Sequence, residues 1–259
     1  MFNLLPGGQK PGPAIAGFDT LRPWLEQAAM RELLRLERLH CQRALPRLFG
    51  YRLLQIGSWG FDAEFTEKTP MPRHWVLGIH GGKGLQADCD GQSLPIPNKS
   101  VDVVLLPHSL EMVASPHRLL RETDRILCDH GHVMIMGFNP LSAWGLRRLW
   151  PMGQGRPPRG MRSYPLRRVH DWLELLDFEV LEVKRFGPGF PWLRRDGTDS
   201  RLFWMRRLLA WWCPAYLMLA RKRVVPVTPI RKPAWSRPQV VAPVAMPGAR
   251  SQTRRRHPS

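Results

Sequence analysis

Short apolar segments, separated by stretches with helical spacing, most constrain the fold of this chain. The segments are short, and the first stops at a glycine, which suits a buried strand of a parallel sheet. Parallel strands require crossovers, and the intervening stretches are long enough to supply helical ones. We therefore expect an α/β fold with a doubly wound, mostly parallel, seven-stranded sheet. The strand candidates cover residues 51–57, 75–79, 101–108, 132–138, 178–186 and 216–224, with a further strand end at 88–91.

Three stretches have the spacing of amphipathic helices. The first follows Asp19 or Thr20, either of which can cap a helix. The second begins at 115–116, where a serine precedes a proline, and a turn is expected after it at 129–131. The third covers 165–176. The apolar positions of the N-terminal helix keep helical spacing: Leu25, Ala29, Leu33, Leu36 and Leu39.

The carboxyl ends of the strands are the expected location of a ligand site. In an open α/β sheet, ligands bind beyond these ends, at the point where the strand order reverses. The residues at these positions are Gly57, Ile79, 88–91, His108 and Asn139.

The net charge of +18 is concentrated towards the carboxyl end. Residues 221–259 contain ten Lys and Arg residues, no Asp or Glu, and many prolines. Such a segment buries too little apolar surface to offset its ordering entropy. We therefore expect a loose leader at 1–17, a folded domain at 18–225 and a disordered basic tail at 226–259.

The cysteine pattern and the apolar runs favour a cytoplasmic location. The four cysteines form no C-x-x-C pair, and we expect neither a secretory signal nor a run of about 18–20 apolar residues that spans a bilayer. The longest apolar run, 208–220, contains Pro214. Cys128, His130 and His132 lie close together but favour a turn over a zinc site, so no metal is predicted. Reduced thiols are expected.

Residues 94–140, LPIPNKSVDVVLLPHSLEMVASPHRLLRETDRILCDHGHVMIMGFNP, resemble the class I methyltransferases of the ubiquinone- and menaquinone-biosynthesis type. The resemblance covers that family's fourth strand, next helix and fifth strand, and a looser likeness extends over 51–186. Within it, 170–183 look like the family's late helix and sixth strand. The resemblance implies a Rossmann-like fold, S-adenosylmethionine as cofactor, methyl transfer as activity and a bacterial branch of the family.

The resemblance also implies residues beside the methionine part of the cofactor. QIGSWG at 55–60 takes the place of the family's acidic–x–Gly–x–Gly–x–Gly loop. Gln55 replaces the acid, Gly57 matches the first glycine, and Gly60 substitutes for a later one. Trp59 replaces the middle glycine, and a tryptophan does not readily adopt a positive φ, so a different loop shape is expected.

The ends of the next strands are similar to the family's ribose and adenine sites. His80 takes the place of the acid that holds the ribose and is able to donate one hydrogen bond. Asp90 corresponds to the carboxylate that accepts from the adenine amino group, and the Gly91 N–H is placed for a ring nitrogen. His108 corresponds to the floor of the pocket. His108 and Glu111 are general-base candidates on position alone, and no catalytic residue is assigned.

The predicted function is S-adenosylmethionine-dependent methylation of a small-molecule acceptor. The sulfonium already activates the methyl group, so the protein mainly aligns donor and acceptor. Two alternatives remain open. One is a methyltransferase-fold scaffold without catalysis, indicated by Gln55, Trp59 and the missing ribose acid. The other is an RNA-binding or RNA-modifying protein, indicated by the basic tail.

The Trp-rich segment 201–213 indicates what kind of acceptor the protein binds. It is apolar nearly all round, which predicts a helix that either packs on the sheet and borders the acceptor site or lies on a membrane surface. A hydrophobic acceptor would suit either arrangement. The tail at 226–259 is expected to bind polyanions without sequence preference.

Overall fold

The computed structural model describes residues 23–57, 59, 65–66, 69–79, 87–89, 91, 93–142, 161–187 and 213–224. The chain divides into two units, Met1–Val224 and Val225–Ser259, and every described residue belongs to the first. The expected leader, the tail and all of segment 201–213 except Cys213 lie outside the described residues. None of the described helices is both long enough and apolar enough to cross a membrane.

Among the described elements, helices precede the first, fifth and sixth strands, and the first four strands follow one another. A 3-10 turn, Leu45–Arg47, separates the first helix from the first strand. In chain order they are α1 (Ala28–Ala44), β1 (Arg52–Ile56), β2 (Arg73–Ile79), β3 (Ala87–Cys89), β4 (Val101–Pro107), α2 (Ser109–Met112), α3 (Pro116–Ile126), β5 (Leu127–Phe138), α4 (Leu166–Glu174), β6 (Phe178–Phe186) and β7 (Ala215–Lys222).

The strands form one sheet with the order β3-β2-β1-β4-β5-β7-β6. The first five strands pair in parallel, and β7 runs antiparallel between β5 and β6. The prediction of a doubly wound, mostly parallel sheet is therefore confirmed. The strand order reverses between β1 and β4, so the carboxyl ends of these two neighbours form the point where ligands bind in such sheets.

Helices cover both faces of the sheet because successive strand residues point to opposite sides. Leu53 of β1 belongs to a core that also contains Leu33 and Cys41 of α1. Leu54 of β1 belongs to the opposite core, with Leu119 of α3 and residues of α4. The two apolar faces of the sheet thus fix α1 on one side and α3 and α4 on the other.

The N-terminal helical region matches its prediction in part. Residues 23–25 are helical, and after a bend α1 begins at Ala28. Leu39, one of the apolar positions with helical spacing, is 39% exposed. The buried stripe passes instead through Leu33, Glu37 and Cys41, which are one helical turn apart. This rotation places a carboxylate inside the protein.

The turn expected at 129–131 lies within a longer strand. β5 begins at Leu127, which pairs with Val101, but the next pairing joins His132 to Val103. The additional residues on β5 form an irregularity in the ladder, and His130 has a φ of +64° there. The local conformation is turn-like, although the chain continues in the same sheet.

Candidate functional site

The turn that follows β1 is closed tightly against the residue that opens α2. Gly57 has a φ of +98°, a conformation that favours glycine. A Cβ atom at this position would lie 2.8 Å from Oγ of Ser109. The Ser109 hydroxyl donates to the carbonyl of Ile56, and the N–H of Gly57 donates to the carbonyl of Leu77 at 2.7 Å. Three neighbouring strand ends therefore meet at a position where only glycine fits.

Gln55 offers an unused hydrogen-bond acceptor beside this turn. Its side chain is fully buried, and Nε2 donates to the carbonyl of Gly57 at 3.0 Å. Oε1 accepts no hydrogen bond within the part of the chain that the structure describes. A buried unpaired acceptor costs about 1–3 kcal/mol, which a bound donor such as an ammonium group would recover. The unpaired Oε1 of Gln55 is suited to accept from the ammonium group of S-adenosylmethionine. The lack of a side chain at Gly57 leaves its backbone open to the methionine end of the same cofactor.

Trp59 turns its side chain into the core on the α1 face of the sheet. The indole is fully buried, and its Nε1 donates to Oε2 of Glu37 at 2.9 Å. Its ring centroid lies 4.2 Å from that of His108. Trp59 is not among the described non-glycine residues with positive φ. Trp59 thus anchors the loop after β1 to α1.

His108 is the centre of a buried network of charged groups. Its backbone adopts the left-handed conformation, with φ +54°, immediately after β4. Nε2 lies 2.8 Å from Oε1 of Glu37, and Nδ1 lies 2.8 Å from Oε2 of Glu111. The ring is held between Trp59 and Phe138, whose centroid is 4.1 Å away. Both ring nitrogens are therefore occupied by protein groups.

The two carboxylates decide the protonation state of the imidazole. Burial alone would lower the pKa of His108, but Glu37 and Glu111 outweigh it and raise that pKa to about 9. Burial raises the pKa of Glu111, against the lowering effects of His108 and of the Phe138 N–H, which donates to it at 2.6 Å. At neutral pH the imidazole thus donates from both nitrogens. A ring in that state has no free lone pair to abstract a proton, so the network fixes structure at the strand ends.

Four predicted site residues remain, of which the structure describes one. Gly91 is buried, has a φ of +71°, and a Cβ there would lie 2.9 Å from Cγ1 of Val113. It packs where the chain after β3 meets the chain after α2. Gly60, His80 and Asp90 lie outside the described residues. The cofactor contacts of all four, and of Gln55, Gly57 and His108, stay predictions.

Sequence reasoning missed Glu37 and Ser109. The available signal for Glu37 is an acid on an otherwise apolar helical stripe, between Leu33 and Cys41. Such an acid requires a buried partner. Ser109 gives no signal in the sequence, because its role depends on the distance between the ends of β1 and β4.

One group in the described part of the chain has the chemistry of metal ligands. His170, Asp171 and Glu174 lie on α4 with ligand atoms within 4.8 Å of one another. Asp171 and Glu174 are exposed, and α4 ends at the edge of the sheet where β6 begins. The group is therefore remote from the carboxyl ends of the strands.

Comparison with known proteins agrees with this architecture. A family model described as a methyltransferase domain matches residues 31–183. The uncharacterized protein YafS of Escherichia coli is 40% identical over 186 residues, which cover 70% of this chain and 72% of that protein.

Two solved structures share the fold at low identity. A SAM-dependent methyltransferase from Archaeoglobus fulgidus is 18% identical, with a TM-score of 0.56, and the match covers 73% of this chain and 94% of that one. A possible histamine N-methyltransferase from Thermotoga maritima is 16% identical, with a TM-score of 0.54, covering 79% and 96%. The family match, extending over more than half of the sequence, carries the assignment. The chain therefore belongs to the class I methyltransferase family, whose methyl donor is S-adenosylmethionine.

Proposed function

We propose that the protein transfers a methyl group from S-adenosylmethionine to a small-molecule acceptor. The observation that carries this proposal is the unpaired, buried Oε1 of Gln55 beside the glycine turn at the reversal of strand order. When bound, the cofactor supplies an electrophilic methyl group on a sulfonium. Gln55 would accept from the cofactor's ammonium group, and Gly57 allows its backbone to approach closely.

The same proposal assigns the adenosine end to the chain after β2 and β3. Asp90 would accept from the adenine amino group, the Gly91 N–H would donate to a ring nitrogen, and His80 would donate to the ribose. Gly60 would complete the loop after β1. The main role of these residues is to hold the donor in a fixed orientation, because alignment supplies much of the rate in such reactions.

The buried Glu37–His108–Glu111 network has a positioning role in this proposal. It ties α1 and the Trp59 loop to the start of α2, so that the ends of β1 and β4 keep one geometry. We assign no general base among the described residues, because the His108 nitrogens are both hydrogen-bonded. An acceptor that already carries a nucleophilic lone pair at neutral pH is therefore the best match.

We further propose roles for the segments outside the described residues. The folded domain spans 18–225, and segment 201–213 forms a helix that borders the acceptor site, the alternative being a helix that lies on a membrane surface. The basic tail at 226–259 binds polyanions without sequence preference. The protein acts in the cytoplasm.

The function is tested by incubating the full chain with S-adenosylmethionine that carries a deuterated methyl group and a small-molecule extract of bacterial cells. Mass spectrometry should detect at least one metabolite that acquires the labelled methyl group. The control is Gly57→Ala, which forces a Cβ towards Ser109 and should abolish labelling. Absence of any labelled product, with the cofactor shown to bind, would contradict methyl transfer and favour a scaffold.

A further inference from the structure

A cavity of about 560 Å³ lies between the start of α3 and the segment that leads into α4. Its volume falls within the range of roughly 300–1,000 Å³ that is typical of small-ligand sites. α3 leads into β5 and α4 leads into β6, and these two strands run in the same direction. Both helices therefore begin at the carboxyl edge of the sheet. The cavity lies at the same edge as the Gly57 turn.

The lining of this cavity carries two positive charges. It contains Arg162 and Arg168, and no carboxylate among the described residues. Neither arginine forms an ion pair with any residue that the structure describes, in contrast to Arg125, which pairs with Glu122 at 2.8 Å. Two guanidinium groups without a counter-ion among the described residues, at one concave surface, favour a ligand of negative charge.

Aromatic contacts hold these cations in place. The Arg168 guanidinium lies 5.4 Å from the centroid of the Trp172 ring, and the His117 ring lies 4.2 Å from it. Tyr164 packs on the same indole at 5.0 Å and hydrogen-bonds the side chain of Arg162. A guanidinium fixed in this way loses less conformational freedom when it binds an oxyanion.

The start of α3 adds to the positive potential. Its N-cap residue, Ser115, lines the cavity and makes no side-chain capping hydrogen bond. The amino end of an α-helix carries a partial positive charge, which favours anions.

We propose that this cavity binds an oxyanion, a carboxylate or a phosphate, and that the oxyanion belongs to the methyl acceptor. Oxyanion binding by the cavity is independent of the proposed function, whereas the assignment of the oxyanion to the methyl acceptor rests on it. This assignment indicates an organic acid or a phosphate ester as the acceptor class.

Calorimetric titration of the full chain tests the site with benzoate and phenyl phosphate as oxyanion probes. Benzamide and benzyl alcohol serve as neutral analogues of similar size. At least one oxyanion should bind and both neutral analogues should not. The probe that binds more tightly identifies the carboxylate or the phosphate as the preferred group.

Variants distinguish oxyanion binding at this cavity from non-specific attraction to the positive charge of the whole chain. Arg168→Gln and Arg162→Gln should each weaken oxyanion binding by about tenfold or more, because each removes a charge-assisted hydrogen bond. The matched control is Arg35→Gln, which removes the same charge at an exposed position of α1. It should leave the affinity unchanged. An equal loss in all three variants, or no binding of either oxyanion, would overturn the site.

Titration of S-adenosylhomocysteine into the same proteins distinguishes the two proposals. Binding of S-adenosylhomocysteine without oxyanion binding would leave the proposed function standing and overturn the cavity. Oxyanion binding without S-adenosylhomocysteine binding would support the cavity and overturn its assignment to a methyl acceptor.

Discussion

Oε1 of Glu37 lies 2.8 Å from Nε2 of His108, although the two residues are 71 positions apart in the chain. The other oxygen of Glu37 accepts from the Trp59 indole, and the other nitrogen of His108 bonds Glu111. Two buried carboxylates therefore share one imidazolium, which offsets the cost of removing their charges from water. The contact joins α1, the loop after β1 and the start of α2 into one unit at the candidate site.

The stability of the protein should decrease as the pH rises through about 9. The folded-state pKa of His108 is raised from 6.5 to about 9, so its contribution is fully present below pH 6.5 and is lost as the pH approaches and passes 9. The raised pKa of Glu111 acts in the same direction. The free energy of unfolding in urea, measured from slightly acidic to alkaline pH, checks this.

The control for the pH dependence is Glu37→Gln. This variant keeps an acceptor for the Trp59 indole but removes one of the two charges that raise the pKa of His108. The decrease in stability should therefore be smaller and be complete at a lower pH than in the unmodified protein, while its onset stays near the unfolded-state pKa of 6.5. Identical pH profiles for the two proteins would show that Glu37 does not control the protonation of His108.

Removal of the Glu37 side chain should be strongly destabilising. Glu37→Ala leaves the Trp59 indole without its acceptor and the His108 Nε2 without its carboxylate. Breaking a buried charged pair in this way costs about 3–5 kcal/mol. Glu32→Ala on the same helix removes an exposed acid paired with Arg35 and should change the free energy of unfolding by no more than about 0.5 kcal/mol. Comparable losses in both variants would argue against the network.

Gly57→Ala should destabilise the protein through one identified contact. The new Cβ would lie 2.8 Å from Oγ of Ser109 in a backbone conformation that alanine rarely adopts, at a cost of about 1–3 kcal/mol. Ser109→Ala removes that oxygen and also its hydrogen bond to the Ile56 carbonyl. The double variant should therefore lose less stability than the sum of the two single variants. Strict additivity in unfolding experiments would contradict the contact.

Gln55→Met should separate stability from cofactor binding. Methionine has a similar shape; it removes the buried acceptor that has no described partner, but also the hydrogen bond from Nε2 to the Gly57 carbonyl. These two effects oppose each other, so the free energy of unfolding should change by no more than about 1 kcal/mol. Affinity for S-adenosylhomocysteine should decrease by about tenfold, since a hydrogen bond to a charged group contributes about 1.5–3 kcal/mol. A loss of stability with unchanged affinity would assign Gln55 to the core alone.

Local pattern was sufficient to predict most of the sheet. The strand at 178–186 has the same bounds in the sequence and in the structure, because alternation along an exposed strand is visible in the residue types. The face of α1 was predicted less well. The face of α1 that is buried depends on residues in other elements. Glu37 is buried because Trp59 and His108 bind its carboxylate.

The same distinction applies to the candidate site. The sequence predicted that Gln55, Gly57, Gly91 and His108 follow or end strands, and the structure places all four at the carboxyl edge of the sheet. It did not predict that His108 is engaged at both nitrogens, because the partner on α1 is distant in the chain. Strand-end position follows from local pattern, whereas hydrogen-bond partners depend on the tertiary packing.

Titration of S-adenosylhomocysteine into the full chain tests the central claim most directly. The account predicts one saturable site with a Kd in roughly the micromolar range. Asp90→Ala should weaken binding by about tenfold through loss of a hydrogen bond to adenine. The absence of any binding heat at about millimolar ligand, with a protein that melts cooperatively, would contradict the claim that the turn after β1 is a cofactor site.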